Sequence, residues 1–384
     1  MRTIIKNTRI LLEDSVLYDH QVVLNGNLIE RIISNEETVK DIDEVIDGEN
    51  LYLSPGFIDI HNHGNSGFDT MDASLEGLES IAKYHLSNGV TSFLAATMTN
   101  PKEKIIKAAK NVAEYIKVQT NNQSRLLGIY LEGPYFNTIK KGAQPGDDIK
   151  DPDIEELKEF IDASNNTIKV VSLAPELNGA KEMIKYLRKN SIKVAIGHSN
   201  SEFTSANEAI NLGATISTHL YNGMRAFTHR EPGIIGACLT NSLLRTEIIA
   251  DGIHLHKTAI DIAKLCKGTD NVILISDAMR AAGLPDGKYE LGGQAVISEG
   301  GSARLLNGAL AGSTLNLNLA VKNMVNLFDT SLVDAVKMAS INPAKAIGYE
   351  GVIGSICAGK YADLLLFDEV VNIKHIIKDG KLLK

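Results

Sequence analysis

Eight short apolar segments, separated by segments with a helical pattern, constrain the fold of this chain more than any other feature of its sequence. Continuous apolar strands that alternate with helices are typical of a parallel sheet covered on both faces. Eight such units in 384 residues favour an α/β fold with a closed (β/α)8 TIM-like barrel over an open doubly wound sheet. The predicted strands are 56–60, 91–96, 126–131, 168–173, 192–196, 214–217, 247–250 and 272–275. The predicted helices are 75–86, 101–118, 154–161, 180–189, 203–212 and 258–265, with Pro101 and Pro152 as prolines of a first helical turn.

Both ends of the chain have a different, strand-rich character. Residues 22–33 predict a hairpin around Asn25-Gly26-Asn27, because Asn-Gly tolerates the positive φ angles of a tight turn. Residues 362–367 and 371–383 have the same character. We therefore expect the segments 1–54 and 347–384 to form one small β-sandwich domain beside a barrel of residues 55–346.

Charge and cysteine content exclude several classes of protein. With 39 Lys plus Arg against 47 Asp plus Glu, the net charge of −8 argues against a nucleic-acid-binding surface, which is usually basic. Three scattered Cys in no CxxC pattern argue against a disulfide scaffold and favour the reducing cytoplasm. Since no apolar run approaches the roughly 18 residues of a membrane span, and the first residues contain no apolar leader, neither a membrane partner nor a signal peptide is expected.

Polar side chains follow the predicted strands at their C-terminal ends. They are His61 and His63 after the first strand, Glu132 after the third, His198 after the fifth, His219 and Asn222 after the sixth, His254 after the seventh and Asp277 after the eighth. In a parallel barrel these ends converge on one rim, where barrel enzymes place their active sites. Imidazoles and carboxylates that converge from separate strands are typical ligands of a transition metal.

Each of these residues also has a purely structural interpretation. A single His after a strand is more often a half-buried side chain than a metal ligand. Glu132 before Gly-Pro is also explained as a turn residue, and Asp277 as a helix N-cap. His61 and His63 are a stronger signal, because residues two apart on a strand point to the same face. Together, these positions predict a metal centre.

A series of longer motifs carries a resemblance to a known family. The motifs are HNHG, LEGPYF, KKGAQP, IGHS, THLYNGM, HREPG, ADGIH, ISDAM, LAGSTLNL and GSICAGKYADLLLFD. In this order they closely resemble the N-acetylglucosamine-6-phosphate deacetylase family of the amidohydrolase superfamily. The resemblance extends from about residue 54 to about residue 363.

The resemblance implies a division of roles among the strand-end residues. Glu132, His198 and His219 correspond to the ligands of one divalent metal, Zn or Fe. His61 and His63 correspond to a histidine pair that some members have lost, so that a second ion bridged by Glu132 is possible. Asp277 corresponds to the aspartate that activates water and protonates the leaving amine. His254 corresponds to a histidine that contacts the substrate and polarises its carbonyl.

The resemblance also implies a substrate-binding set and an assembly. The set is Ala143, Gln144, Asn222, Gly223, Arg230, His254, Leu310, Ala311 and Gly312. Position 144 carries Gln where relatives commonly carry His, which puts one contact in question. In relatives the arginine reaches the neighbouring subunit's site, which implies a homodimer.

The predicted activity is the removal of acetate from N-acetylglucosamine 6-phosphate, giving glucosamine 6-phosphate, in amino-sugar catabolism. A galactosamine counterpart differs at one hydroxyl, and the sequence does not separate the two. A cyclic-amide hydrolase would need a strand-end lysine between its metals, where this chain has Glu132. A non-catalytic sugar-phosphate sensor would be favoured by the loss of Asp277 or of a ligand, and all of these are present.

Overall fold

The computed structural model describes residues 1–383 and begins with seven strands. They are β1 (Arg2–Lys6), β2 (Arg9–Leu11), β3 (Val16–Leu17), β4 (His20–Asn25), β5 (Leu28–Ser34), β6 (Glu44–Asp47) and β7 (Tyr52–Pro55). The predicted hairpin is formed by β4 and β5, which pair antiparallel. Its turn contains Gly26 at a φ of 60°, the conformation that glycine adopts without steric cost.

The eight predicted barrel strands are confirmed, with small shifts at their ends. They are β8 (Phe57–Asn62), β11 (Val90–Ala96), β12 (Arg125–Glu132), β13 (Ile168–Leu173), β14 (Lys193–Ile196), β15 (Ala214–Ser217), β16 (Arg245–Ile249) and β17 (Val272–Ile275). Between β8 and β11, the strands β9 (Gly64–Asn65) and β10 (Phe68–Asp69) form a separate short ribbon. Neighbouring strands run parallel in sequence order from β8 to β17. The N–H of Asp277 donates to the carbonyl of His61 at 2.9 Å, so the last strand returns to the first.

Seven helices connect the successive barrel strands. They are α1 (Leu75–Ser87), α2 (Lys102–Val118), α3 (Ile154–Ala163), α4 (Ala180–Lys189), α5 (Phe203–Leu212), α6 (Gly233–Thr240) and α7 (Lys257–Lys267). In α4, Ala180, Met183, Ile184 and Leu187 form the buried stripe expected of an amphipathic helix. Helix α6 was not predicted, because seven of its eight residues are buried and it has no such stripe.

The helix starts correct one expectation. Pro101 is the N-cap of α2, but Pro152 precedes the N-cap of α3, so neither residue lies within a first helical turn. Single 3-10 turns lie at Thr70–Asp72, Thr138–Lys140, Gly146–Asp148 and Thr269–Asn271. Within residues 1–383, no helix is both long and apolar enough to cross a bilayer.

An antiparallel sheet that the sequence did not predict follows β17. It consists of β18 (Gly287–Leu291), β19 (Gln294–Glu299), β20 (Ser302–Leu305) and β21 (Leu310–Ser313), and helices α8 (Leu317–Asn326), α9 (Leu332–Ala339) and α10 (Ile341–Ile347) come after it. Leu291, Val296 and Ala311 of this sheet form an apolar cluster with Met98 and Met279 from strand ends of the barrel. The sheet therefore stands at the C-terminal rim of the barrel.

The chain ends in β22 (Leu364–Phe367), β23 (Ile373–Lys378) and β24 (Lys381–Leu382). Strand β22 pairs with β7, so one six-stranded sheet contains strands from both ends of the chain, while β5, β4, β1 and β6 form a second sheet. Ile5, Leu24, Leu53, Leu366 and Ile377 share the apolar core between the sheets. The β-sandwich from both ends is thus confirmed, whereas the boundaries 1–54 with 347–384 and 55–346 stay a proposal.

A buried ionic cluster links the sandwich to the barrel. Arg125, the first residue of β12, donates to Asp363 at 2.9 Å and also pairs with Asp379. Lys378, which is only 1% exposed, lies 3.0 Å from both carboxylates. We call these four residues the junction cluster.

Candidate active site

Four imidazoles surround the carboxylate of Glu132 at the C-terminal rim of the barrel. The Oε1 atom of Glu132 lies 3.4 Å from His61 Nε2, 3.3 Å from His198 Nε2 and 3.1 Å from His219 Nε2. Its Oε2 atom lies 3.2 Å from His63 Nε2. The five side chains, which we call the ligand cluster, form two groups of three around the shared Glu132, with ligand atoms within 4.8 Å of one another in each group.

Unusual backbone conformations turn several of these side chains toward the rim. His198, His219 and Asp277 have φ angles of 44°, 26° and 48°, in the left-handed region that residues other than glycine rarely adopt. Such conformations concentrate at functional sites, where the surrounding structure compensates their cost. Gly223 has a φ of 59°, and a Cβ there would lie 2.9 Å from His198 Nδ1, so a larger residue would displace this imidazole.

Several ring nitrogens in the ligand cluster have no hydrogen-bond partner among residues 1–383. They are Nε2 of His61, although Glu132 is near, and Nδ1 of both His63 and His219. Burial alone would lower the pKa of His63, but its hydrogen bonds to Asp277 and Glu132 raise it to about 10. The pKa of His219 is raised against the same effect of burial, mainly by its bond to Glu132. Imidazole and carboxylate donors in this arrangement fit a divalent transition-metal ion.

Asp277 stands beside the histidine pair. Its Oδ1 atom lies 3.4 Å from His63 Nε2 and 3.6 Å from His61 Nε2. Burial raises its pKa, but the hydrogen bond from His63 and the charges of His61 and His219 outweigh this effect and lower it. The residue precedes turns rather than a helix, so its interpretation as an N-cap is wrong. An ionised carboxylate at this position can accept a proton.

His254 is held in place by its own carboxylate partner. Its Nδ1 atom lies 2.6 Å from Asp251 Oδ2, while the Oδ1 atom of Asp251 accepts the backbone N–H groups of Ile253 and His254 at 2.8 Å. A ring whose Nδ1–H donates to a carboxylate leaves Nε2 for another partner. The sequence did not single out Asp251 for this role, although it lies three residues before His254.

A cavity of about 230 Å³ opens onto the ligand cluster. Its walls include His63, Glu132, Ala143, Gln144, His198, His219, Asn222, Gly223, His254, Asp277, Leu310 and Gly312, all of which were predicted as site residues, and also Met98, Gly142, Leu291 and Ala309, which were not. The unpredicted apolar residues include Leu291 of β18, because the rim sheet itself was not predicted. His61 does not line the cavity and is fully buried.

Two of the predicted substrate contacts, Ala311 and Gln144, have different surroundings from the other predicted site residues. Ala311 is fully buried and does not line the cavity, since β21 turns it into the apolar cluster of the rim sheet. Gln144 lines the cavity, but its amide N–H donates to Glu132 Oε2 at 2.6 Å and its oxygen accepts the N–H of Thr99 at 2.8 Å. Its side chain therefore already contacts the ligand cluster.

Arg230 lies in the exposed segment that follows Met224 and does not line the cavity of its own chain. Within residues 1–383 it forms no ion pair with Glu231, whose carboxylate instead accepts the N–H groups of Phe203 and Gly233 at 2.9 Å. A surface ion pair with the adjacent Glu231, which would be a purely structural role for Arg230, is therefore absent among the described residues.

The sequence matches the amidohydrolase family over residues 52–383. The chain is an amidohydrolase. This amidohydrolase is 38% identical over 382 residues, covering 100% of this chain and 99% of the relative, to an N-acetylgalactosamine-6-phosphate deacetylase of Escherichia coli O157:H7. It is 40% identical over 337 residues to an N-acetylglucosamine-6-phosphate deacetylase of Lysinibacillus sphaericus, covering 88% and 87% of the two chains.

Solved structures agree with these relatives. The N-acetylglucosamine-6-phosphate deacetylase of Pasteurella multocida superposes on the amidohydrolase with a TM-score of 0.94 at 32% identity, over 100% of this chain and 99% of the other. A variant of the Mycobacterium smegmatis enzyme, in complex with N-acetyl-D-glucosamine 6-phosphate, gives a TM-score of 0.92 at 27% identity over 100% and 99%. The expected resemblance to this deacetylase family is confirmed.

Proposed function

We propose that this amidohydrolase removes acetate from N-acetylglucosamine 6-phosphate, giving glucosamine 6-phosphate in amino-sugar catabolism. The observation that carries the proposal is the convergence of four imidazoles on Glu132 beside an ionised Asp277, at the floor of one cavity. Its family supports the same reaction, since relatives that cover most of the chain are acetylamino-sugar phosphate deacetylases.

The ligand cluster offers two metal sites. Glu132, His198 and His219 would hold one divalent ion, and His61, His63 and Glu132 would hold a second, Zn or Fe in each case. When bound, such an ion supplies Lewis-acid chemistry, because it polarises a carbonyl oxygen and lowers the pKa of water.

Asp277 and His254 would perform the proton transfer and polarisation. Asp277 accepts a proton from the attacking water while the C–O bond forms, and returns it to the sugar nitrogen as the C–N bond breaks. The products are acetate and the free amine. His254, oriented by Asp251 through Nδ1, would donate from Nε2 to the carbonyl oxygen in its imidazolium form, in which both ring nitrogens carry hydrogen. Negative charge develops on that oxygen, and such a donor is typically worth about 3–4 kcal/mol.

The rest of the cavity would bind the sugar. Ala143, Gln144, Asn222, Gly223, Leu310 and Gly312 line the remaining wall. The phosphate needs a cation, and Arg230 offers a planar fork that matches it. Because Arg230 lies outside its own cavity, we propose a homodimer in which each subunit supplies this residue to the other. The unpaired Cys238, Cys266 and Cys357 are consistent with a cytoplasmic enzyme.

Release of acetate from N-acetylglucosamine 6-phosphate by the metal-loaded enzyme tests the reaction. We expect turnover that is lost on chelation and restored by Zn²⁺ or Fe²⁺. In Asp277→Asn, turnover should fall about 10²–10⁴-fold while the metal content is kept. Turnover that is indifferent to chelation or to Asp277→Asn would refute the mechanism.

N-acetylgalactosamine 6-phosphate is the second candidate substrate, because a relative 38% identical over the whole chain is named for it. The two sugars differ in the orientation of one hydroxyl. Values of kcat/KM for both, measured on the same metal-loaded preparation, decide between them. A value at least tenfold higher for the galactose epimer would replace the proposed substrate and leave the chemistry unchanged.

A further inference from the structure

Glu247, in the middle of β16, lies beneath the ligand cluster and was not predicted as a site residue. It is fully buried, and its Oε2 atom lies 3.1 Å from His61 Nδ1 and 3.1 Å from the backbone nitrogen of His219. The hydroxyl of Tyr130 donates to the same oxygen at 3.5 Å. One carboxylate therefore contacts a residue from each of the two metal-ligand groups.

Imidazole, hydroxyl and backbone N–H groups, rather than Lys or Arg side chains, stand next to this carboxylate in the part of the chain that the structure describes. Among residues 1–383, no Lys or Arg forms an ion pair with Glu247, and its Oε1 atom has no hydrogen-bond partner. A buried carboxylate is costly unless it is paired or serves a charged centre. The purely structural interpretation, a polar link between β8 and β16, accounts for the contact with His61. It does not account for the contact of the same oxygen with His219, which belongs to the other metal-ligand group.

The contact with His61 decides which ring nitrogen carries hydrogen. The Oε2 atom of Glu247 already accepts the O–H of Tyr130 and the N–H of His219, so it is placed as an acceptor toward His61 as well. A His61 ring that ligates a metal through Nε2 then carries its hydrogen on Nδ1. The lone pair then lies on Nε2, the atom that faces Glu132. A metal-ligating imidazole typically donates its other N–H to a carboxylate in this way, which fixes its orientation and raises its basicity.

We propose that Glu247 is a positioning residue of the His61–His63–Glu132 metal group. It fixes the Nδ1–H form of His61 and orients Nε2 toward the ion, and it steadies the backbone of His219 in the other group. The inference rests on the metal sites proposed above and adds a residue that acts only through its neighbours.

Zinc affinity, measured without substrate, tests this role. Apo forms of the full-length native protein, Glu247→Gln and Glu247→Ala are titrated with Zn²⁺ against a chelating dye, and bound zinc is counted by mass spectrometry. We expect the affinity of at least one ion to fall about 10–100-fold in Glu247→Ala. Glu247→Gln keeps an acceptor for His61 Nδ1–H but is always neutral. Its zinc affinity should therefore lie between those of Glu247→Ala and the native protein.

Glu156→Gln is the matched control, because Glu156 is also a buried carboxylate, on α3, bonded to Tyr135 and Lys150 rather than to the ligand cluster. Its zinc affinity should equal that of the native protein. In zinc-loaded protein, ¹⁵N spectra should show His61 protonated on Nδ1, and this signal should shift in both Glu247 variants.

Zinc affinities of Glu247→Gln and Glu247→Ala within threefold of native would overturn the inference, as would an equal loss in Glu156→Gln. If Glu247→Ala does not fold, Glu247→Gln decides alone. The two proposals fail separately. A native protein that binds zinc but releases no acetate contradicts the proposed function, whereas unchanged zinc binding in the Glu247 variants contradicts only the role of Glu247.

Discussion

The protein contains two buried polar clusters, one inside the barrel and one between the barrel and the β-sandwich, that differ in their charge balance. In the junction cluster, two cations face two carboxylates, and none of the four side chains has a buried polar atom without a partner. In the ligand cluster and its surroundings, the ion-pair partners that the described residues offer Glu132, Asp277 and Glu247 are imidazoles rather than Lys or Arg, and several ring nitrogens have no partner there. The junction cluster neutralises itself, whereas the ligand cluster is completed by a cation.

This difference separates a structural cluster from a functional one at similar burial. A buried ion pair with all its hydrogen bonds made is expensive to break but does no chemistry. A cluster with unpaired acceptors lowers the stability of the folded protein until an ion binds to it. Substitutions in the two clusters should therefore affect different measurements.

The largest effect is expected from Glu132→Gln, because Glu132 belongs to both metal-ligand groups. Loss of the shared carboxylate should remove bound metal and lower kcat/KM by roughly 10³-fold or more, or about 4 kcal/mol of transition-state stabilisation. Metal analysis and acetate release measure both, and circular dichroism verifies that the variant is folded. A variant that keeps the native metal content would contradict the assignment of Glu132.

A large effect on stability, rather than on activity, is expected from Lys378→Met in the junction cluster. It leaves Asp363 and Asp379 with Arg125 as their only cation among residues 1–383. Breaking a buried pair in this way typically costs about 3–5 kcal/mol. Urea unfolding should show this loss in the free energy of unfolding, while kcat/KM of the folded fraction stays at the native value.

Lys83→Met is the control for this measurement, because Lys83 pairs with Glu79 on the surface of α1 at 2.6 Å and its side chain is 56% exposed. Its expected cost is below about 1 kcal/mol. Equal losses in the two lysine variants would mean that burial and charge balance do not distinguish the junction cluster.

Much of the fold and of the ligand cluster was predictable because both depend on local patterns. Eight apolar runs mark the barrel strands, and polar residues at their ends mark the rim, so His61, Glu132 and Asp277 were predicted to meet. Glu247 was not predicted as a site residue, since it lies inside a strand rather than after one, and only the barrel's closure brings it to His61.

The rim sheet was missed for a different reason. Its strands are short and partly exposed, and glycines separate them at residues 292–293 and 300–301, so neither a continuous apolar run nor a clear alternation marks them. The position of Arg230 outside its own cavity also depends on tertiary structure. Sequence motifs thus located chemistry at strand ends, whereas the residues that support it or enclose it depend on contacts distant in the chain.

The smallest expected effect comes from a comparison of two buried histidines whose pKa values are shifted in opposite directions. Carboxylates raise the pKa of His63 to about 10 against the effect of burial, whereas His85 in α1 has no such neighbour and burial lowers its pKa to about 3. Its Nε2 atom has no partner, and its ring packs 4.7 Å from that of Phe93, so an unpartnered nitrogen alone does not make a site.

His85 should make the protein sensitive to acid. The folded state keeps it neutral, while the unfolded chain binds a proton below a pKa of about 6.5, so its contribution to stability is complete above that pH and is lost as the pH falls toward 3. At pH 5 the loss is about 2 kcal/mol. In zinc-free protein, His85→Leu should remove this part of the pH dependence. The native protein and the variant have every other titrating group in common. The difference between their free energies of unfolding, compared at pH 7.5 and at pH 5, therefore reports the contribution of His85 alone. A difference that stays constant over this range would show that His85 is protonated in the folded protein or exposed to solvent there.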